Sequence, residues 1–182
     1  MKQVLVPLAP GFEELEAVTI IDLLRRANID VIVAGLQGGP LTGSRGTKIL
    51  PDFILDDLPD IPFDMIVLPG GQPGADNLRD DPRIEKLLVE VSRAGGITAA
   101  ICAAPKVLAS AGLLEDRNMT SYPGAMSGIE VNGMKNTGAA VVVDGNVVTS
   151  RGPGTAIEFT LELIEILVGE GVRYQVEEGL QG

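Results

Sequence analysis

The chain contains no histidine and a single cysteine, Cys102. A thiol or hydroxyl nucleophile is usually activated by an imidazole, so any covalent chemistry here must run without a Cys-His or Ser-His couple. One cysteine cannot make an intramolecular disulfide, and with no histidine and no clustered aspartates at ligand spacing a metal site is not expected. Positive charge is also scarce. Fourteen lysines and arginines face 25 acidic residues, a net charge of −11. That balance argues against a nucleic-acid partner, whose phosphates demand a basic footprint, and against an anionic membrane surface. No run of about 18 apolar residues occurs, so no transmembrane helix is expected. Met1-Lys2-Gln3 leads directly into a strand-like segment, which leaves no room for a secretory leader. The lone thiol and the missing leader point to a reducing, cytoplasmic location.

What is present is an alternation of short apolar runs with amphipathic helical stretches, the pattern of an α/β protein with a largely parallel sheet. The apolar runs predict strands at 3–8, 30–35, 63–69 and 97–101. Helices are predicted at about 13–28, 82–94, 104–112 and 154–168, the second opening with the cap-and-proline pair Asp81-Pro82. Between 139 and 149, Asp144-Gly145 separates two β-branched runs and predicts an antiparallel hairpin near the sheet's end. There is no internal repeat, low-complexity segment or linker. The 182 residues therefore read as one domain, with a core over about 3–168 and a polar, glycine-bearing tail at 169–182, poorly ordered or packed on a partner.

Four segments carry residues suited to chemistry. Cys102 follows the apolar run 96–101 and precedes a helix opening at Ala103-Ala104-Pro105, the thiol counterpart of the turn that presents a nucleophile at the top of a sheet. A helix N-terminus there would favour the thiolate. A lone cysteine is also a common small core residue. Gly11-Phe12-Glu13-Glu14-Leu15-Glu16 opens the first helix on the same sheet edge. On the helical wheel Ala17, Ile20, Ile21, Leu24 and Ala27 form the inward stripe; Glu13 and Glu16 lie on or beside it and Glu14 further round. Glu13 and Glu14 suit the ordinary role of acids in a first turn. Glu16, a full turn in, should have a raised pKa and stay protonated near neutrality. Gly70 and Gly71 end a strand and could offer N–H groups to an oxyanion, or simply make a tight turn. Ser150-Arg151-Gly152-Pro153-Gly154-Thr155 could cradle an anion or cap the last helix, but it lacks P-loop and dinucleotide spacing.

Taken together, the strings Gly11-Phe12-Glu13-Glu14-Leu15-Glu16, Val33-Ala34-Gly35-Leu36, Val67-Leu68-Pro69-Gly70-Gly71, Ala99-Ala100-Ile101-Cys102-Ala103-Ala104-Pro105 and Thr149-Ser150-Arg151-Gly152-Pro153-Gly154-Thr155 resemble the DJ-one/ThiJ/PfpI family. Within it they match the branch of the Parkinsonism-associated deglycase and the bacterial YajL protein. The resemblance covers about residues 3–168. It implies a flavodoxin-like doubly wound sheet between helices, a homodimer, and an oxidation-sensitive Cys102 paired with Glu16. It also implies main-chain N–H groups of Gly70, Gly71 and Ala103 around the thiol, with Arg45 and Arg151 at the pocket rim or dimer contact. The protease-like and amidotransferase-like relatives carry a histidine directly after the cysteine; here that residue is Ala103, which sets hydrolase chemistry aside. Tyr122 stands where animal members place a histidine, and it can donate a hydrogen bond but cannot act as a base near pH 7. On the outer face of the first helix, Leu15 and Val18 lie among Asp22, Arg25 and Arg26, which suits a two-fold interface.

Two functions fit these residues. One is a cofactor-free enzyme acting on methylglyoxal-like dicarbonyls or their early adducts, with Cys102 adding to the aldehyde and Glu16 moving a proton, expected to turn over slowly. The other is an oxidative-stress sensor or chaperone, in which peroxide takes Cys102 to a sulfinic acid held by protonated Glu16. A scaffold with an incidental cysteine is the third reading.

Overall fold

The computed structural model describes residues 1–182. Its chain runs β1 (Gln3–Leu8), α1 (Glu14–Arg26), β2 (Asp30–Gly35), β3 (Leu41–Thr42), β4 (Lys48–Ile49), β5 (Phe53–Ile54), β6 (Met65–Leu68), α2 (Gly74–Asp80), α3 (Pro82–Arg93), β7 (Ile97–Ile101), α4 (Pro105–Ser110), β8 (Asn118–Met119), β9 (Lys135–Asn136), β10 (Val141–Asp144), β11 (Val147–Ser150), α5 (Ala156–Val168) and α6 (Glu170–Leu180). Seven strands form the central sheet in the order β10-β11-β7-β6-β1-β2-β5. All neighbours are parallel except β10 and β11, which pair antiparallel through the expected hairpin, with Gly145 at φ 59° in its turn. Two-stranded ribbons β3-β4 and β8-β9 lie outside the sheet.

The central strands are apolar on both faces because both faces are covered. On one side Val4, Val6, Leu8, Val67 and Ile101 pack with Ala17, Ile20, Leu24, Phe159 and Leu163 of α1 and α5. On the other, Leu5, Ile66, Leu68 and Ala100 pack with Ile84, Leu88, Val91, Val107 and Leu108 of α3 and α4. The buried stripe of α1 includes Leu23, while Ile21 is only half-buried. Asp81 caps α3 by accepting from the Arg83 N–H at 2.9 Å, with Pro82 at the first helical position. Asn28, at φ 56°, takes the left-handed turn that ends α1.

Strand β1 sits inside the sheet, with β2 on one side and β6 on the other. This reversal of winding opens a crevice at the carboxyl ends of β1, β6 and β7, where doubly wound sheets place their sites. The segment after Gly169 differs from expectation. It is α6, packed on α5 with Val176 buried, and Arg173 pairs with Glu162 and Glu165 across the two helices. Its apolar positions are few and its glycines many, so its helicity comes from that packing rather than from propensity. No helix is long and apolar enough to cross a membrane.

Candidate active site

Three chain segments meet at the crevice, one from each strand that borders it. Cys102 follows β7 with φ 65°, a left-handed conformation that costs a non-glycine residue about 1–3 kcal/mol. Two hydrogen bonds fix it. The Cys102 N–H donates to the Ser150 carbonyl at 2.9 Å, and its own carbonyl accepts from the Tyr122 N–H at 2.8 Å. The side chain is nearly buried, at 9% exposure.

Glu16 comes from the first turn of α1 and is fully buried. Its Oε2 accepts from the Gly70 N–H at 2.7 Å, whereas its Oε1 is buried with no hydrogen-bond partner of its own. Burial raises the carboxyl from the ordinary 4.5 to about 7; the Gly70 N–H and the Cys102 thiol pull it down, and the Glu13 charge pushes it up again. The raised carboxyl expected from the helical wheel is therefore present, poised near neutrality.

The thiol differs from expectation. Burial, then the charge of Glu16 and its hydrogen bond, push Cys102 up to about 12. The groups that oppose this are the main-chain N–H groups of Gly71 and Ala103, which lie ahead of the helix; α4 itself starts only at Pro105 and runs six residues. The resting site thus holds a protonated thiol beside a carboxyl poised near neutrality, not a thiolate stabilised by a helix end. Two buried anions in contact would repel, so the pair gives up its first proton near pH 7 and keeps its second far higher.

Gly70 and Gly71 join the two groups. A Cβ on Gly70 would stand 2.7 Å from the Cβ of Cys102 and 2.8 Å from Glu16 Oε2, so the close approach requires glycine. Gly71, at φ 92°, would drive a Cβ to 2.5 Å from the Gly11 carbonyl. Of the three donors expected around the thiol, Gly71 and Ala103 face the sulfur. The Gly70 N–H goes to the carboxyl instead.

Glu13 and Glu14 hold the 43–47 loop against the start of α1. Ser44 Oγ donates to both carboxylates at 3.0 and 3.2 Å, and the Arg45 and Thr47 N–H groups donate to Glu14 Oε1 at 2.8 and 3.1 Å. Arg45 is exposed and enters this contact through its backbone; it is not among the residues lining the groove beside the elbow. That groove, about 280 Å³, is lined by Tyr122, Pro123, Arg151 and Gly152 to Thr155. Arg151 Nη1 donates to the Gly138 carbonyl at 3.0 Å. Tyr122 is half-exposed, its ring against Gly152. Sequence reasoning missed Lys106, buried in the first turn of α4 and ion-paired with Asp76 at 3.0 Å. The available signal was a lysine four residues after Cys102 in an otherwise apolar helix opening.

The chain is similar to known proteins over nearly its whole length. The model of the DJ-1/PfpI family matches residues 2–166. Protein dj-1beta of Drosophila melanogaster is 44% identical over 180 residues, covering 98% of this chain and 96% of its own. Its crystal structure superimposes with a TM-score of 0.93 over 99% of this chain and 97% of that one, at 43% identity. A Caenorhabditis elegans protein named glutathione-independent glyoxalase DJR-1.2 is 37% identical over 169 residues, or 92% of this chain and 90% of its own. The structure of oxidized Toxoplasma gondii DJ-1 matches with a TM-score of 0.93 and 37% identity, over 100% of this chain and 98% of that one. The chain belongs to the DJ-1/PfpI family.

Proposed function

We propose that this protein is a cofactor-independent glyoxalase that converts methylglyoxal-like dicarbonyls, or their early adducts, to 2-hydroxy acids through Cys102 and Glu16. The observation that carries the reading is the Glu16 carboxyl: fully buried, fixed through Oε2, with Oε1 left free and the thiol as its neighbour. A general base works best with a pKa near the operating pH, and about 7 meets that need. The name of the Caenorhabditis elegans relative agrees with it.

In the proposed sequence the Glu16 carboxylate takes the thiol proton as sulfur adds to the aldehyde carbon, and the carbonyl oxygen is protonated to give a hemithioacetal. Glu16 then removes the proton on that carbon, and the electron pair moves into the neighbouring carbonyl, whose oxygen takes the hemithioacetal hydroxyl proton, to form an enediolate. Return of the proton to the second carbon leaves a thioester. Water cleaves it, releasing the 2-hydroxy acid and restoring the thiol. Oxidation of one carbon matches reduction of the next, so no external oxidant, reductant or cofactor is required. One carboxyl serves every proton transfer, which makes turnover slow. Incubation with methylglyoxal in the absence of glutathione tests the reading: lactate accumulates with the wild type, and lactate formation that persists in Cys102→Ser overturns it.

A second reading has its own support, the oxidized state of the Toxoplasma gondii neighbour. Two equivalents of peroxide would take the Cys102 thiolate to the sulfinate with release of two waters, and a proton on Glu16 Oε1 would hydrogen-bond the new oxygens.

The assembly that fits is a homodimer. Leu15 and Val18 are about half exposed on the outer face of α1, and Leu50 is 72% exposed beside them. The Arg25–Asp52 ion pair borders this apolar face, and a second copy would cover it. A reducing cytoplasm would keep the thiol available.

A further inference from the structure

Glu16 and Lys106 are the carboxyl and the ammonium side chain that the fold buries. The first belongs to the site; the second lies behind it. Lys106 Nζ pairs with Asp76 Oδ1 at 3.0 Å. With the Gln72 amide oriented by its hydrogen-bond network, its oxygen accepts from Lys106 Nζ at 2.7 Å and its nitrogen donates to Asp76 Oδ2 at 2.8 Å. The three side chains close a ring between α4, α2 and the turn after β6. Gln72 directly follows Gly71, so the ring holds the residue next to the turn that carries the two N–H groups. The turn offers the Gly70 N–H to Glu16 and the Gly71 N–H to the sulfur, while the Gly70 carbonyl accepts from the Glu13 N–H at 2.9 Å.

A buried ammonium is a costly way to fill space, and an apolar side chain of similar volume would often serve stability equally well. What the ammonium adds is direction, because charge-assisted hydrogen bonds are short and hold their partners in one geometry. We propose that Lys106 is a positioning residue, aiming the Gly70 and Gly71 N–H groups at Glu16 and Cys102 through the Gln72 amide. The proposal deepens the glyoxalase reading and rests on it for what the two groups do in turnover. Loss of Lys106 does not strand Asp76, which Arg79 also holds at 3.1 Å. The charged groups around Lys106 are Asp76, Arg79 on the same Asp76 oxygen and, more remotely, Asp80; those that face Glu16 are Glu13 and Cys102. Lys106 therefore reaches Glu16 through geometry and not through its own charge.

The test follows the Glu16 carboxyl by carbon NMR of protein labelled at the glutamate carboxyls, its signal assigned by its absence in Glu16→Gln, with a thermal melt of each variant alongside. Misaimed N–H groups no longer stabilise the carboxylate. In Lys106→Met and Gln72→Leu the midpoint should therefore rise by about half to one pH unit, a shift of the size that one hydrogen bond supplies. The double variant should rise no further, and Lys106→Arg, which keeps a donor toward Gln72, should stay near the wild type. Midpoints unchanged in folded Lys106→Met and Gln72→Leu would overturn the proposal and leave the ring a purely structural feature. Should Lys106→Met fail to fold, Gln72→Leu, at an exposed position, decides alone. A shifted midpoint in a protein with no methylglyoxal turnover would retain the positioning role and reject the glyoxalase reading.

Discussion

Glu16 helps to keep Cys102 protonated, while burial raises both groups. The carboxyl rises to about 7 and the thiol to about 12, with burial the largest cause for each and the Glu16 charge the next for the thiol. Neither group is unusual alone; the arrangement matters because only one negative charge fits in the crevice at a time. A proton passed from sulfur to the Glu16 carboxylate moves that charge without adding a second, which is what a thiol needs to attack an aldehyde where no imidazole exists.

The first consequence concerns stability. A carboxyl whose pKa is higher folded than unfolded favours the folded state at low pH, and that advantage is lost as pH rises from about 4.5 through about 7. The shift corresponds to roughly 3 kcal/mol. Replacement by glutamine removes the ionisation while keeping an acceptor for the Gly70 N–H. Chemical denaturation of wild type and Glu16→Gln should show the variant gaining on the wild type between about pH 4.5 and 8. A constant difference over that range would mean that Glu16 ionises as freely folded as unfolded.

Gly70→Ala tests the close approach. The added methyl would meet Cys102 Cβ and Glu16 Oε2 inside 3 Å, where backbone and side chains must move. We expect a stability loss of about 1–3 kcal/mol and a larger proportional loss of turnover, at least tenfold or so, because the reacting groups are displaced. Wild-type turnover in this variant would show that the close approach at Gly70 is dispensable.

Oxidation tests the free Oε1. After mild peroxide, mass spectrometry of the wild type should find the sulfinic acid at Cys102. Glu16→Gln, whose amide can still donate, should retain part of that product, and Glu16→Leu should not accumulate it. Equal oxidation in the two variants would remove the hydrogen bond from the account.

Assembly is tested on the outer face of α1. Val18→Asp combined with Leu50→Asp would place carboxylates in the proposed interface with nothing to pair them, and light scattering should then report a monomer at concentrations where the wild type is a dimer. A dimer that survives both substitutions would place the interface elsewhere.

Much of this was legible in the sequence because the informative segments are governed by local rules. Strands 3–8, 30–35 and 97–101 appear with those bounds, since buried parallel strands read as apolar runs. Glu16 could be placed because a helical wheel fixes which face it shares with Ala17 and Ile20. Helix α2 was not seen: Gly74-Ala75-Asp76-Asn77-Leu78-Arg79-Asp80 has no apolar periodicity, and it is held by its place between β6 and α3. The acidity of the thiol was misread for a related reason. Sequence indicates a nearby helix start and a Glu16 partner but not how far the sulfur is buried, and burial together with the Glu16 charge outweighs the N–H groups of Gly71 and Ala103.

The most direct test of the central claim is the pH dependence of methylglyoxal turnover, measured as kcat/KM from about pH 5 to 9 in wild type, Glu16→Gln and Cys102→Ser. If Glu16 is the base that frees the thiol, the wild-type profile rises through about pH 7. Glu16→Gln should then lose about 10²–10⁴-fold and the inflection with it, and Cys102→Ser should release no lactate. A Glu16→Gln enzyme that keeps the wild-type rate and the same inflection would contradict the account.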